Sequence, residues 1–256
     1  MIVLKDRVEL AEMREAGRIV ARVHEAMREM MRPGVTTLDL DTRAEEIIRQ
    51  HDAVPTFLGY PHTGKNDYPA SICASINEEL VHGIPSRERW LEAGDIISID
   101  VGATWHGWVG DSAWTYAVEQ VDDESVRLMA ATEGALWAGI AAARGGRHLS
   151  DVSRAIEAHV TANGFSVVRE YTGHGVGRRM HEEPQILNFV PTGAGKGPRL
   201  RPGMTLALEP MVNAGTWRTR TLADGWTVVR ADGRRSAHFE HSIAITDGEA
   251  TVLTVL

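Results

Sequence analysis

"LEAGDIISID" runs from Leu91 to Asp100, and "LRPGMTLALE", from Leu200 to Glu209, repeats its design. Each has a leucine, then a glycine three positions on, then alternating aliphatic residues that read as a strand, then a carboxylate at the strand's end. Farther upstream Gly34, Asp39 and Glu45 answer to Gly146, Asp151 and Glu157. The segments between follow the same order twice. Apolar residues at Met13, Ala16, Ile19, Val20, Val23, Met27 and Met30 have helical spacing, and "RPG" at Arg32 to Gly34 ends that helix. A second helix is predicted over 38–50, followed by strands in "ASICASI", "DIISIDVG" and "SAWTYAV". Then come a helix over 124–143, a glycine break at Gly145 and Gly146, and a helix over 150–163 with Ser150 as its N-cap. Strands are predicted in "FSVVREY", "MTLALEPMV", "GWTVVRA", "FEHSIAIT" and "ATVLTVL". The pattern predicts one α/β domain over 1–256, made of divergent halves of about 8–121 and 122–256 that share a sheet about a pseudo-two-fold axis.

Composition narrows the function classes. Hydrophobic residues at 43% and charged residues at 24% describe an ordinary globular chain. A net charge of −8 argues against a general binder of nucleic acid or of membrane surfaces, which rely on clustered Lys and Arg. The single cysteine, Cys73, builds neither a disulfide nor a cysteine metal site, so any metal must be held by His, Asp and Glu. The N-terminal "MIVLKDRVELAEM" has no apolar core of signal-peptide length, and no run reaches a membrane span; a cytoplasmic location is expected.

Two features carry chemistry. "YTGHGVGRRMHEEP", Tyr171 to Pro184, places His174 and His181 in a glycine-studded stretch. Gly173, Gly175 and Gly177 argue for a loop or extended segment there rather than a helix. The second feature is four carboxylates. Asp100 is followed by Asp111 in the first half, and Glu209 by Glu240 in the second, each at an edge of an apolar β-run. A lone acid there is ordinarily served by an Arg or Lys partner or by solvent. Four together need stronger compensation, because buried like charges stay ionised only beside a strong cation. Two divalent ions carry the matching charge, and oxygen ligands with one imidazole suit Mn, Fe(II), Co or Zn.

Five segments resemble, in order and spacing, methionine aminopeptidase of the short bacterial type I form. They are "HGIP" at His82 to Pro85, "DVG" with an acid eleven residues beyond Asp100, "GHGVGRRMHEEP", "LALEPM" and "FEHSIAIT". The resemblance runs from about Val8 to the C-terminus. It implies the pita-bread α/β fold, with a curved, mainly antiparallel sheet covered by helices, and removal of the initiator methionine from nascent polypeptides. By the same resemblance Asp100 chelates one metal, Asp111 and Glu240 bridge both, and His174 with Glu209 completes the other. His82 and His181 would contact substrate, and Glu209 would also shuttle a proton. A water bridging the metals would attack, His181 would donate to the oxyanion, and the substrate's free α-amino group would bind at a metal.

Around the methionine side chain the match is looser. Tyr60, Tyr68, Cys73 and Trp226 occupy pocket positions, whereas Phe57 and Met180 depart from the best-known bacterial pattern of cysteine and phenylalanine. "PHTGKND", 61–67, adds residues between the two tyrosines, and its turn-forming types predict a solvent-facing flap. The rivals are a proline-directed aminopeptidase or prolidase, which usually carries a further N-terminal domain, and a metal-free peptide- or ribosome-binding relative. A full set of ligands with both histidines disfavours the latter. A small second residue is expected in the substrate, and a monomer is expected, with the ribosome as a potential partner.

Overall fold

The computed structural model describes residues 1–62 and 66–256. Four helices carry most of the outer layer: α1 (Arg7–Met30), α2 (Thr37–Gln50), α3 (Asp123–Ala142) and α4 (Leu149–Ala162). α1 begins at a capping box, in which Asp6 accepts from the amides of Val8 and Glu9 while Glu9 reaches back to the Asp6 amide. Its apolar stripe is the one read from sequence, with Met13, Ala16, Ile19, Val20, Val23 and Met27 buried.

The internal repeat is real at the level of single hydrogen bonds. Gly34 and Gly146 both have φ of 86°, a left-handed conformation that glycine adopts without strain. Their amides donate to the carbonyls of Leu91 and Leu200, each at 2.9 Å. Asp39 and Asp151 then cap their helices alike, accepting from the amides of Thr36 at 2.9 Å and His148 at 3.0 Å. This corrects the expected cap of α4: the helix starts one residue before Ser150, because the Asp151 carboxylate reaches back to His148 and secures the first turn there.

In the first half, strand Ile72–Ile76 pairs antiparallel with Ile96–Trp105, which pairs along its whole length with Trp108–Ala117. The hairpin turns on His106 and Gly107, both at positive φ. In the second half Thr205–Leu208 lies between Gly173–Gly175 and His241–Ala244. The predicted strands in "FSVVREY" and "ATVLTVL" shrink to Ser166–Val167 and Thr251–Val252. "MTLALEPMV" is interrupted at Glu209 and Pro210. α1 and α2 bury one apolar core against the first sheet, α3 and α4 another against the second, and partly buried Trp114 packs on both.

The halves are joined by a main-chain ladder between Glu79–Val81 and Val228–Arg230 and, beside Asp111, by a seam stitched with hydroxyls. Ser242 Oγ donates to the Asp111 carbonyl at 2.8 Å, and Ser112 Oγ to the Glu240 carbonyl at 2.6 Å. A main-chain bond, from the Glu240 amide to the Ala113 carbonyl at 2.8 Å, lies beside these hydroxyl contacts. This seam lays Asp111 beside Glu240 and so brings the two carboxylate pairs together. A third apolar cluster, including Met13, Phe57, Tyr68, Cys73, Trp108 and Met180, lies under that meeting point.

Candidate active site

Strand alternation aims the site residues. Asp100 faces Ala113, and Asp111 faces Gly102, two residues on, so both carboxylates leave the same face of the hairpin. In the second half His174, Ala207 and Ser242 lie abreast. Two residues on from Ala207 and two back from Ser242, the same alternation turns Glu209 and Glu240 to the face of His174. "YTGHGVGRRMHEEP" is extended, as expected, and folds on itself: Gly173–Gly175 pairs with Glu182–Ile186. Gly175 is obligatory because a Cβ there would sit 2.2 Å from the Glu183 carbonyl oxygen.

These residues converge on one cleft, lined by Phe57, Tyr60, Tyr68, Cys73, His82, Asp100, Asp111, His174, Met180, His181, Glu209, Trp226 and Glu240. Every site residue named from the sequence lines it. His174 Nε2 lies 3.4 Å from Glu209 Oε1 and 3.6 Å from Asp111 Oδ2. Ligand atoms of Asp111, His174 and Glu240 all fall within 4.8 Å of one another. His174 Nδ1 is 2.9 Å from the Gly175 carbonyl, which places the ring proton on Nδ1 and leaves the Nε2 lone pair facing the carboxylates. His82 stands at positive φ, 61°, an uncommon conformation for a non-glycine residue. Its ring lies edge-on to Tyr171 and Trp226.

The electrostatics are those of a cation site. Among the described residues, none that lines the cleft is Lys or Arg. Burial, with mutual repulsion added, pushes the carboxyls of Asp100, Glu209 and Glu240 well above the usual range, and burial pushes Asp111 up to about 7. Burial also holds His82 and His174 down to about 4, so both are neutral near pH 7. Asp100 Oδ1, Asp111 Oδ1 and Glu240 Oε1 are buried without a hydrogen-bond partner among the described residues. Orphaned carboxylate oxygens facing a neutral imidazole lone pair are the donor set that a divalent metal satisfies. The residues present therefore fit the group.

The pocket tyrosines are secured despite the inserted residues. The Tyr68 amide donates to the Tyr60 carbonyl at 2.9 Å, and the Gly59 amide to the Tyr68 carbonyl at 2.8 Å, so the extra segment leaves and returns at one closed point. Trp226 Nε1 donates to the Asn66 carbonyl at 3.0 Å. Thr63, Gly64 and Lys65, the centre of the predicted flap, lie outside the described residues. Burial pushes the Cys73 thiol well up, which keeps it protonated and inert as a ligand.

Sequence reasoning missed two contributors. Lys5 and Glu182 form a buried ion pair at 2.7 Å, and Glu182 Oε1 also accepts from the amides of Arg178 and Arg179, bracing the turn that carries Met180 and His181. His238 is buried beside Glu209 and Glu240. Its signal was the alternation His238, Glu240, Ser242, which puts all three on one face.

A fold of paired α/β halves holding a carboxylate-rich cation site at their junction is that of a metallopeptidase. The chain belongs to metallopeptidase family M24, whose model matches residues 11–247, and membership implies divalent metal ions. Methionine aminopeptidase 1 of Bacillus subtilis (strain 168) is 52% identical over 254 residues, 99% of each chain. The crystal structure of methionine aminopeptidase from Thermotoga maritima superposes with a TM-score of 0.95 at 43% identity, covering 100% of both chains. A Xaa-Pro dipeptidase from Bacillus anthracis shares the fold alone, with a TM-score of 0.77 and 22% identity; this chain spans 61% of it.

Proposed function

We propose that the chain is a methionyl aminopeptidase that removes the initiator methionine from nascent polypeptides, acting as a cytoplasmic monomer on chain ends emerging from the ribosome. One observation carries this reading: the residues of the cation site share one cleft with the apolar side chains of Phe57, Tyr68, Cys73, Met180 and Trp226. Asp100, Asp111, His174, Glu209 and Glu240 would hold two divalent ions, of Fe, Mn, Co or Zn. When bound, they supply Lewis acidity and a nucleophile at neutral pH.

The remaining work falls to side chains. His181 donates its Nε2 proton to the developing oxyanion, and neutral His82 contacts the scissile amide nitrogen. Glu209 holds the proton that passes to the leaving amine. The pocket, with Tyr60 at its rim, accepts an unbranched thioether and excludes a charge, which would have to be desolvated against aromatic walls. A second residue close to His82 must be small.

Protein reconstituted with Mn2+ or Co2+ should cleave Met-Ala peptides faster than Met-Leu, and leave Ala-Pro essentially intact. Faster cleavage of Ala-Pro would replace this reading with the proline-directed one.

A further inference from the structure

His238 is more tightly built in than a core histidine needs to be. Its amide donates to Thr115 Oγ1 at 2.9 Å, and the same hydroxyl donates back to its carbonyl at 2.8 Å. The residue is 2% exposed, yet among the described residues neither ring nitrogen has a hydrogen-bond partner. A buried imidazole N–H left unpaired is costly, so its placement calls for a reason.

The surroundings of Glu209 supply it. One of its oxygens, Oε1, faces His174 Nε2 at 3.4 Å, and the other, Oε2, faces His238 Nε2 at 3.7 Å. His238 Nε2 is also 4.0 Å from Glu240 Oε2. The two histidines differ in one respect. His174 Nδ1 is committed to the Gly175 carbonyl, as a ligand's second nitrogen usually is, whereas His238 Nδ1 has no acceptor that would draw the proton away from Nε2.

We infer that His238 is a positioning residue, carrying its proton on Nε2 and donating it to the outer oxygen of Glu209, with Glu240 as the alternative acceptor. It thereby fixes the orientation of the Glu209 carboxylate, whose other oxygen faces His174. This rests on the metal reading above. The gap to a normal N–H···O bond is about half an ångström, which a small rotation of the Glu209 carboxylate closes.

Glutamine tests the assignment, because its amide nitrogen reaches the place of imidazole Nε2, while that of asparagine reaches the place of Nδ1. Calorimetric titration with Mn2+ and Co2+ should give His238→Gln an affinity within about threefold of wild type. His238→Ala and His238→Asn should bind roughly 10–100-fold more weakly, the usual effect of losing a group that orients a ligand. With metal saturating, kcat should fall in the Ala and Asn variants while KM stays within about twofold. Thermal unfolding in EDTA identifies any variant that is simply misfolded, and the Gln against Asn comparison stands independently of Ala. Wild-type affinity in both Ala and Asn, or Gln no better than Asn, would overturn the inference. A wild-type protein that binds neither ion would instead overturn the metal reading itself.

Discussion

The hydroxyl of Tyr60 lies 2.6 Å from Nδ1 of His181, the rings meeting edge-on with centroids 5.5 Å apart. Burial, with the charge of Asp111 behind it, raises the Tyr60 hydroxyl above its ordinary range, so it stays protonated and is the donor. His181 is thereby held in the tautomer that carries its proton on Nε2. Tyr60 is a residue of the pocket rim and also sets which histidine nitrogen can serve an oxyanion.

Removing that hydroxyl while keeping the ring should therefore affect rate rather than binding. Tyr60→Phe is expected to lower kcat about tenfold, below the roughly 10²–10³ cost of losing an oxyanion donor outright, because His181 remains but samples both tautomers. Metal affinity and KM should stay near wild type. Steady-state kinetics on a Met-Ala peptide with calorimetric metal titration reads both, and an unchanged kcat would remove Tyr60 from the proton arrangement.

His174 and His181 sit with ring centroids 4.3 Å apart, yet their substitutions should separate cleanly. His174→Ala removes the lone pair that faces Asp111 and Glu209, so divalent-ion affinity and turnover should both collapse. His181→Ala should leave metal content nearly unchanged and lower kcat by roughly 10²–10³. Equal metal loss in the two variants would show that both are ligands.

How much of this was legible beforehand depended on sequence distance. Gly34 with Asp39, and Gly146 with Asp151, are local devices, a left-handed turn followed by a reach-back cap, and their chemistry shows in the residue types. Strand alternation likewise exposes the pairs Asp100 with Asp111 and Glu209 with Glu240. The resemblance of five motifs supplied what spacing alone left open, namely which histidine faces the carboxylates. Ser112, Thr115 and Ser242 at the seam carry no comparable signal, since each meets a partner more than a hundred residues away and serine and threonine are common everywhere. Ser150 is not the cap, because a serine near a helix start competes with the reach-back of an acid one residue later, and here Asp151 wins.

The Lys5–Glu182 pair joins residues 177 positions apart, which no local pattern could reveal. Both side chains are buried, so losing one strands the other: Lys5→Met should destabilise the fold by about 3 kcal/mol. The loss should also loosen the turn from Arg178 to His181, so that kcat drops even where the protein remains folded. Urea unfolding with activity measured well below the transition separates the two effects. A variant as stable and as active as wild type would reduce the pair to decoration.

His24 makes the fold acid-sensitive at a place outside the site. Its Nε2 is 3.1 Å from the Ser112 carbonyl and its Nδ1 2.9 Å from the Tyr116 hydroxyl. Burial, reinforced by Arg28 and opposed by the Ser112 carbonyl, holds it down to about 4. Its unfolded value is near 6.5, so on acidification the unfolded chain takes up a proton that the folded protein refuses. Stability from this group is complete above about pH 6.5 and is lost as pH falls toward 4. Between pH 6.5 and 5 the wild type should lose roughly 2 kcal/mol more than His24→Gln. Urea unfolding in EDTA at both pH values, which keeps metal binding out of the comparison, checks the sign. Parallel losses in the two proteins would mean that His24 is charged in the fold.

Met180 should set the width of the pocket. It sits 8% exposed on the turn braced by Glu182, in the same apolar cluster as Phe57, Tyr68 and Cys73. Shortening it to alanine widens the slot without adding a polar group, and the pocket's discrimination rests on apolar contact worth about 1–3 kcal/mol per methylene. Met180→Ala should therefore raise KM for Met-Ala and improve Phe-Ala relative to it, by about tenfold in the ratio of kcat/KM. Metal affinity should not move, because the side chain contributes no ligand atom. The turn should hold as well, since Lys5 and the two backbone amides still grip Glu182. Competition assays on Met-Ala, Leu-Ala and Phe-Ala peptides measure the ratio directly. An unchanged ratio would place the methionine side chain elsewhere in the cleft, against the face of Trp226 rather than over Met180.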